Sequence, residues 1–328
     1  MEKHEDNISI LSKLNLDKIE ETISQPYHQT GAGRPPRKPL GIFKALMIKQ
    51  LRHIPSDREL YRRLWNDETL REICDIEEKE TPYHPSQLTR FRNKVGPARL
   101  TDIMNSLIKE LVEGDIIKGE TLALDATFIK AWSRRDPADD SHGYSDPESR
   151  VGRDGKTYDL GYKVHLAVDA DSDMPVAAVV ASANENEKKH TKELLEKVSL
   201  VVDGFGVVVA DSQYSSKRVR ACIVENGAES VIPYPSNHRR GESVLRVDRF
   251  FRTSGSAVER RVYEVGRASV ERVNSRLEFV GLECLKFRGL RNVMVHVLLC
   301  IVVMLLVAVA AVRLCRPWKV RSLASFWW

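Results

Sequence analysis

The sequence lacks the cysteine pairs and the apolar N-terminus that would indicate several common classes of protein. Its five cysteines are scattered, and none forms a C-x-x-C pair, so neither a zinc site nor a redox motif is indicated. The first six residues, MEKHED, are charged and polar, and no secretory signal segment is expected. We therefore expect a reduced, cytoplasmic protein.

Long apolar runs are also scarce, with one exception near the C-terminus. Val297–Val312 is unbroken by any polar residue and lies between His296 and Arg313. This run is slightly shorter than the roughly 17–25 residues that a membrane-spanning helix needs. Basic residues follow it and would suit a cytoplasmic anchor. Two interpretations stay open, a membrane span and a helix buried in the core. We favour the buried helix, because nothing else in the chain resembles a membrane protein.

The 328 residues are enough for two domains, and the charge is unevenly distributed between them. The whole chain carries a net charge of +5, whereas residues 217–276 contain 13 Lys/Arg against 7 Asp/Glu, a local excess of +6. A basic region next to acidic residues suits a polyanionic substrate such as DNA. A solvated basic surface is the alternative interpretation.

The N-terminal third has helical patterns separated by turns. Residues 40–52 have helical periodicity, and Ser56 with Glu59 forms the pattern of a capping box. Ser86 is expected to cap a short helix over residues 87–94, which places Arg90, Arg92 and Lys94 on its outer face. A short helix after a turn, with exposed basic side chains, resembles a helix-turn-helix element that contacts DNA.

From residue 121 onward the pattern changes to strands alternating with helices. We predict strands at 121–129, 162–170 and 175–182, then a helix at 187–198, a strand ending at Ala210, a helix at 216–225 and a strand at 229–233. Two strand–helix–strand crossovers require parallel strands with helices packed on the sheet. The predicted fold class is therefore α/β, with a ribonuclease H-like mixed sheet flanked by helices and preceded by an all-α domain.

Three acidic residues occur where a two-metal site would need them. Asp125 lies inside the apolar strand LALDA, Asp211 ends the strand VVVAD, and Glu271 lies in a later helix. An ionised carboxylate is costly to bury unless a cation neutralises it. Carboxylate oxygens from separate elements suit Mg²⁺, with Mn²⁺ as a possible substitute.

Each acid also has a purely structural interpretation. Asp125 could bond to the backbone, Asp211 could cap a turn, and Glu271 could form a surface pair with Arg267 one turn earlier. The three together favour a metal site. His165, on the strand beside Asp125, could contact phosphate, but we favour a structural histidine with its ring nitrogens satisfied.

Several motifs together resemble the transposases of insertion sequences. They are GRPP at 33–36, SDREL at 56–60, LTRFR at 88–92, DPESR at 146–150, GYKVH at 161–165, ADSQY at 210–214, and the series Tyr263, Arg267, Glu271. The resemblance covers residues 30–310. It implies a DDE triad of Asp125, Asp211 and Glu271. Two departures are present: Tyr263 is one residue further from Arg267 than the family signature has it, and Glu278 replaces the expected Lys or Arg.

The resemblance implies DNA cleavage at the terminal repeats of an element and joining of the ends to target DNA. It also implies a homodimer in the active complex and no membrane. DNA contacts are expected from seven basic residues, Arg90, Arg92, Lys94, Lys163, Arg260, Arg261 and Arg267. Alternatives are a nuclease on the same fold that does not join strands, and a non-catalytic DNA-binding protein.

The predicted domains follow the change of pattern along the chain. Residues 1–115 are expected to form the helical DNA-binding domain, and residues 116–314 the catalytic domain, with a basic insert at 234–262. Residues 315–328 are expected to form a basic and aromatic tail.

Overall fold

The computed structural model describes residues 11, 14–27, 36–235, 239–240, 243–244 and 257–323. Most of the GRPP motif at 33–36 and most of the basic insert predicted at 234–262 lie outside these residues. The chain divides into two compact units. Unit 1 comprises residues 1–107, 277–287 and 291–328, and unit 2 comprises residues 108–276 and 288–290.

The N-terminal part of unit 1 is built from helices. They are α1 (Asp17–Ser24), α2 (Pro39–Leu51), α3 (Asp57–Asn66), α4 (Glu68–Ile73) and α5 (Pro85–Glu113). The predicted cap of α3 is confirmed, since Ser56 Oγ accepts a hydrogen bond from Glu59 N at 3.1 Å. The short helix predicted at 87–94 is the first part of α5, although it begins at Pro85, so that Ser86 lies inside it. It stops at a kink at Gly96, where the backbone is not helical (φ +66°), and a second helical part begins at Pro97.

Unit 2 is built on one mixed sheet. Its strands are β1 (Thr121–Lys130), β2 (Arg150–Asp154), β3 (Thr157–Asp169), β4 (Met174–Ser182), β5 (Val207–Ala210) and β6 (Glu229–Val231). Helix α6 (Thr191–Val198) connects β4 to β5, and α7 (Lys217–Glu225) connects β5 to β6. A separate two-stranded ladder pairs β7 (Arg239–Arg240) with β8 (Ser243–Val244), and α8 (Ala257–Phe279) follows it.

Strand β1 is central in the order β4-β3-β1-β5-β6. It runs antiparallel to β3 and parallel to β5, and β6 is parallel to β5. Strand β2 pairs with the first part of β3, and β4 pairs with the remainder of the same edge. This is the ribonuclease H-like sheet that the sequence predicts, and that prediction is confirmed. No strand is predicted between residues 129 and 162, whereas the structure has β2 there and begins β3 at Thr157.

The apolar run at 297–312 forms most of helix α9 (Leu290–Arg313), which belongs to unit 1. By length and composition α9 is able to cross a membrane, but 94% of its most apolar 18-residue window is buried in the protein. This agrees with the interpretation as a core helix. The compact units therefore differ from the predicted domains, because a helix assigned by sequence to the catalytic domain falls in unit 1.

Candidate active site

The sheet register places Asp125 and Asp211 side by side. Leu124 of β1 pairs with Ala210 of the parallel strand β5, and the two aspartates are the next residue of each strand. Since residues at paired positions point to the same face of a sheet, both carboxylates leave that face together. They lie at the carboxyl end of β5, the edge at which open α/β sheets form their sites.

Both carboxylates are held in an environment that disfavours their ionised form. Burial is the main cause that raises the pKa of Asp125, and the Arg267 guanidinium opposes it. Burial also raises the pKa of Asp211, and the charge of Asp125 raises it further, while a hydrogen bond from Gln213 N to Asp211 Oδ1 at 2.9 Å opposes both. Two partly buried like charges therefore share one small region, which is typical of a site that takes up cations.

Helix α8 brings Arg267 to this pair. Arg267 Nη1 lies 3.1 Å from Asp125 Oδ1, and both side chains are mostly buried. Gly266 allows the approach, because a Cβ at that position would lie 3.1 Å from Cβ of Val209 on β5. Val262 and Tyr263 pack on Val209 as well. The helix is thus fixed on the sheet face that carries the aspartates.

Glu271 follows Arg267 by one helical turn and is exposed. Its charge contributes to the raised pKa of Asp125, after burial and the opposing effect of Arg267, so it lies within electrostatic reach of the pair. Arg267 is paired with Asp125 rather than with Glu271, which removes the simple surface-pair interpretation. The next residue, Arg272, donates to both carboxylate oxygens of Asp173 at 2.7 and 2.9 Å and so anchors α8 to the β3–β4 turn.

In the described part of the chain no three His, Cys, Asp or Glu side chains close into a metal-ligand cluster. The donor set nevertheless fits a hard divalent cation, since Asp125 and Asp211 offer partly buried carboxylates on neighbouring strands, and among the described residues Arg267 is the cation at contact distance. Glu271 is the further carboxylate on the same side of α8 as Arg267.

Two residues predicted to contact DNA are engaged elsewhere. Lys163 forms an ion pair with Glu187 and donates to the carbonyl of Glu185 at 3.3 Å. Arg92 is buried, forms an ion pair with Asp57, and stacks 4.7 Å from the ring centroid of Phe287. Neither charged group is presented to solvent, so we remove both from the proposed DNA-binding set.

The other predicted basic residues remain accessible. Arg90 and Lys94 are exposed on α5, and the Lys94 ammonium lies 4.4 Å from the ring centroid of Tyr27. Arg261 is exposed near the start of α8, and Arg260 forms an ion pair at 3.6 Å with Glu264 on the same helix. Arg267 is committed to Asp125 in this structure.

Several residues of the site region were missed or misread from sequence. Tyr214 is fully buried after Asp211, and Glu187 adds a carboxylate whose charge raises the pKa of Asp211. His165 is structural, and the centroid of its ring lies 4.4 Å from that of His190. Neither of its ring nitrogens has a hydrogen-bond partner among the described residues. The prediction that these nitrogens are hydrogen-bonded was therefore wrong. Spacing in the sequence carried no signal for these contacts.

The motif DPESR has a structural role here. Asp146 Oδ1 accepts hydrogen bonds from Tyr162 Oη at 2.8 Å and from Gly289 N at 3.0 Å. Glu148 accepts one from Leu290 N, also at 3.0 Å. The motif thus ties residues 289–290 to the loop after β1 and does not supply ligands to the site.

Comparison with known families gives two matches. Residues 117–306, more than half of the chain, match the family described as "Transposase DDE domain", and residues 3–94 match "Transposase domain (DUF772)". The first match contains Asp125, Asp211 and Glu271.

Among solved structures, the chain is similar to a piggyBac transposase synaptic complex with hairpin DNA. The identity is 12%, covering 96% of this chain and 76% of that one, with a TM-score of 0.48. It is also similar to a Mos1 transposase paired-end complex with the left transposon end. Here the identity is 11%, covering 76% of this chain and 81% of that one, with a TM-score of 0.23.

Proposed function

From the premise that this chain belongs to the transposase DDE domain family, we propose that it recognises the terminal repeats of an insertion sequence and joins them to target DNA. It is a metal-dependent DDE transposase, and the chemistry of that family is DNA cleavage with strand transfer. Beyond the family, we propose the DNA ends that the protein recognises, the metal ion that it binds and the residues that hold this ion.

The observation that carries the site assignment is the register of β1 and β5. Leu124 and Ala210 are paired, so Asp125 and Asp211 emerge together from neighbouring parallel strands. Such a pair of carboxylates offers oxygens to a cation from a rigid part of the fold. We assign Glu271 as the third acid because it shares a side of α8 with Arg267, which already contacts Asp125.

We propose Mg²⁺ as the ion, with Mn²⁺ as a substitute, held by Asp125, Asp211 and Glu271. A bound divalent pair would supply activation of water or a DNA 3′-hydroxyl and stabilisation of the leaving oxygen. The protein itself does the rest. Arg267 restrains the Asp125 carboxylate and brings a guanidinium to the site, where a phosphate of the DNA would meet it.

The partner we propose is double-stranded DNA, with exposed Arg90, Lys94 and Arg261 contacting phosphates and Arg260 beside them. The helical N-terminal region, residues 1–115, would bind the terminal repeats, and residues 116–314 would carry the chemistry. The two ends of the insertion sequence must be cut and joined in a coordinated way, so we propose a homodimer in the active complex. We also propose that the protein is cytoplasmic and associates with the nucleoid when it is bound to DNA.

The decisive experiment is a Mg²⁺-dependent assay on a labelled duplex that carries the element's own terminal repeat flanked by host sequence. The full-length protein is compared with Asp125→Ala, Asp211→Ala and Glu271→Ala. Glu264→Ala is the matched control, because Glu264 lies on the same helix and pairs with Arg260. We expect cleaved and joined products in the wild type and in the control, and neither product in the three other variants.

Each alternative predicts a different outcome. Cleavage without joined product would identify a nuclease on the same fold. Specific binding of the repeat without cleavage would identify a non-catalytic DNA-binding protein. Full activity of Glu271→Ala would disprove the third ligand and direct attention to Glu187, whose charge already raises the pKa of Asp211.

A further inference from the structure

Tyr214 is a buried tyrosine whose hydroxyl has no hydrogen-bond partner among the described residues. It ends the short 3₁₀ turn Ser212–Tyr214, which Asp211 caps by accepting a hydrogen bond from Gln213 N. Tyr214 N also donates to the carbonyl of Asp211 at 3.1 Å. Buried phenol hydroxyls normally find a partner, so an unpaired one next to a site requires a reason.

The surroundings of the phenol are acidic. After burial, the charges that raise the pKa of Tyr214 are those of Asp125, Asp211 and Glu187. The turn Glu187–Lys189 packs against the turn that holds Tyr214. The hydroxyl is a hydrogen-bond donor within electrostatic reach of three carboxylates, and a small movement of the site would let it fix the orientation of the carboxylate pair.

We propose that Tyr214 is a positioning residue, whose hydroxyl donates a hydrogen bond to the Asp125–Asp211 pair in the working site and orients these carboxylates toward the divalent cation. This inference rests on the proposed function of the two aspartates as ligands. It explains why the fold retains an unpaired buried hydroxyl, since a residue kept only for packing would serve equally well as phenylalanine.

Two effects of opposite sign follow for Tyr214→Phe. The substitution keeps the ring and removes a buried hydroxyl that lacks a partner, so the metal-free protein should unfold at the same temperature as the wild type or higher. Loss of an outer-shell partner typically lowers metal affinity or activity about 10- to 100-fold, and we expect cleavage to fall within that range.

Tyr162→Phe is the matched control. Tyr162 is equally buried, and its hydroxyl is satisfied, donating to Asp146 Oδ1 at 2.8 Å. Its removal should lower the unfolding temperature and leave the dependence on Mg²⁺ unchanged. The full-length wild type and both variants would be compared by thermal unfolding with and without MgCl₂, and by single-turnover cleavage of the terminal-repeat duplex across a Mg²⁺ titration.

The proposal predicts that Tyr214→Phe keeps its metal-free stability while losing most of the Mg²⁺-induced rise in unfolding temperature. An unchanged Mg²⁺ response would overturn it, and so would a loss of metal-free stability as large as that of Tyr162→Phe, because the hydroxyl would then already have a partner. Failure of the wild type to cleave would count against the proposed function alone, since the unfolding comparison needs no cleavage.

Discussion

Gly266 of α8 faces Val209 of β5 at a distance that would crowd a Cβ atom. A Cβ at Gly266 would lie 3.1 Å from Cβ of Val209 and 3.2 and 3.3 Å from its two methyl carbons. Arg267 follows directly and Glu271 one turn later, so this contact determines where both side chains stand relative to Asp125. A helix can approach a sheet this closely only through a residue without a side chain.

Gly266→Ala should therefore cost more in activity than in stability. Alanine favours a helix over glycine by about 1 kcal/mol, whereas overpacking at Val209 costs about 1–3 kcal/mol. We expect a net loss on the order of 1 kcal/mol in the free energy of unfolding, measured in urea. Because α8 must shift by a few tenths of an ångström, single-turnover cleavage should fall about tenfold or more.

The double variant Gly266→Ala with Val209→Ala tests whether this loss comes from the contact itself. Val209→Ala removes the methyl carbons at 3.2 and 3.3 Å and keeps the Cβ at 3.1 Å, so it relieves part of the overlap and the effects of the two substitutions should not add. Cleavage by the double variant should recover partly toward the wild-type level. A double variant as inactive as Gly266→Ala would show that contact with the Val209 methyl groups is not what displaces α8.

Asp125 and Asp211 should respond differently to neutralisation. Burial raises the pKa of both, but only Asp125 has Arg267 as an ion-pair partner. Asp211→Asn removes one of two like charges that burial already disfavours, and it should raise the metal-free stability. Asp125→Asn leaves Arg267 without its carboxylate and should bring no such gain. Chemical unfolding in EDTA measures the free energy of unfolding of both variants. Equal changes in the two variants would contradict the different roles of Asp125 and Asp211.

Much of unit 2 could be predicted from sequence because strands and caps leave local patterns. Alternating and apolar runs of residues predicted β1, β3, β4 and the strand that ends before Asp211. The order of strands and helices along the chain then predicted the sheet. The register between β1 and β5 is not local, since it depends on how two segments 86 residues apart in sequence (210 − 124) pack. Only the structure places Asp125 beside Asp211.

The basic residues show where sequence reasoning fails. Arg90, Arg92 and Lys94 look equivalent in a helical pattern, yet Arg92 is buried between Asp57 and Phe287. Phe287 is distant in sequence, so no periodicity in α5 could reveal that contact. An arginine carries both a long apolar stem and a charge, and therefore suits either a surface or an interior position.

This difference predicts opposite results for neighbouring arginines. Arg90→Ala should leave stability unchanged, weaken binding of the terminal repeat, and reduce the slope of log K against log salt by about 1, as expected for one lost phosphate contact. Arg92→Ala should destabilise the protein by about 2 kcal/mol, because among the described residues it leaves the partly buried Asp57 with Lys49 as its remaining basic partner. Fluorescence anisotropy at several salt concentrations, paired with urea unfolding, separates the two. Equal loss of stability would show that Arg90 is also structural.

His296 gives the protein a dependence on pH that is independent of the active site. It is buried in α9, and its Nε2 lies 3.0 Å from the carbonyl oxygen of Leu282. Burial lowers its pKa to about 4, and the charges of Lys49 and Arg92 act in the same direction. The neutral ring is favoured by the fold, so its contribution to stability is complete above pH 6.5 and is lost progressively as the pH falls toward 4.

Between pH 7 and pH 5 this single group should cost about 2 kcal/mol of unfolding free energy, at about 1.4 kcal/mol per pH unit below 6.5. His296→Gln keeps an N–H donor for the carbonyl but does not titrate. Between pH 7 and pH 5 this variant should therefore lose about 2 kcal/mol less unfolding free energy than the wild type. His84→Gln, at an exposed position, should follow the wild-type curve. His165, whose pKa burial lowers to about 3, adds a loss of the same sign that both variants retain. Urea unfolding at half-unit pH steps measures the unfolding free energy of each protein as a function of pH. Parallel curves for the wild type and His296→Gln would show that His296 does not control this pH dependence.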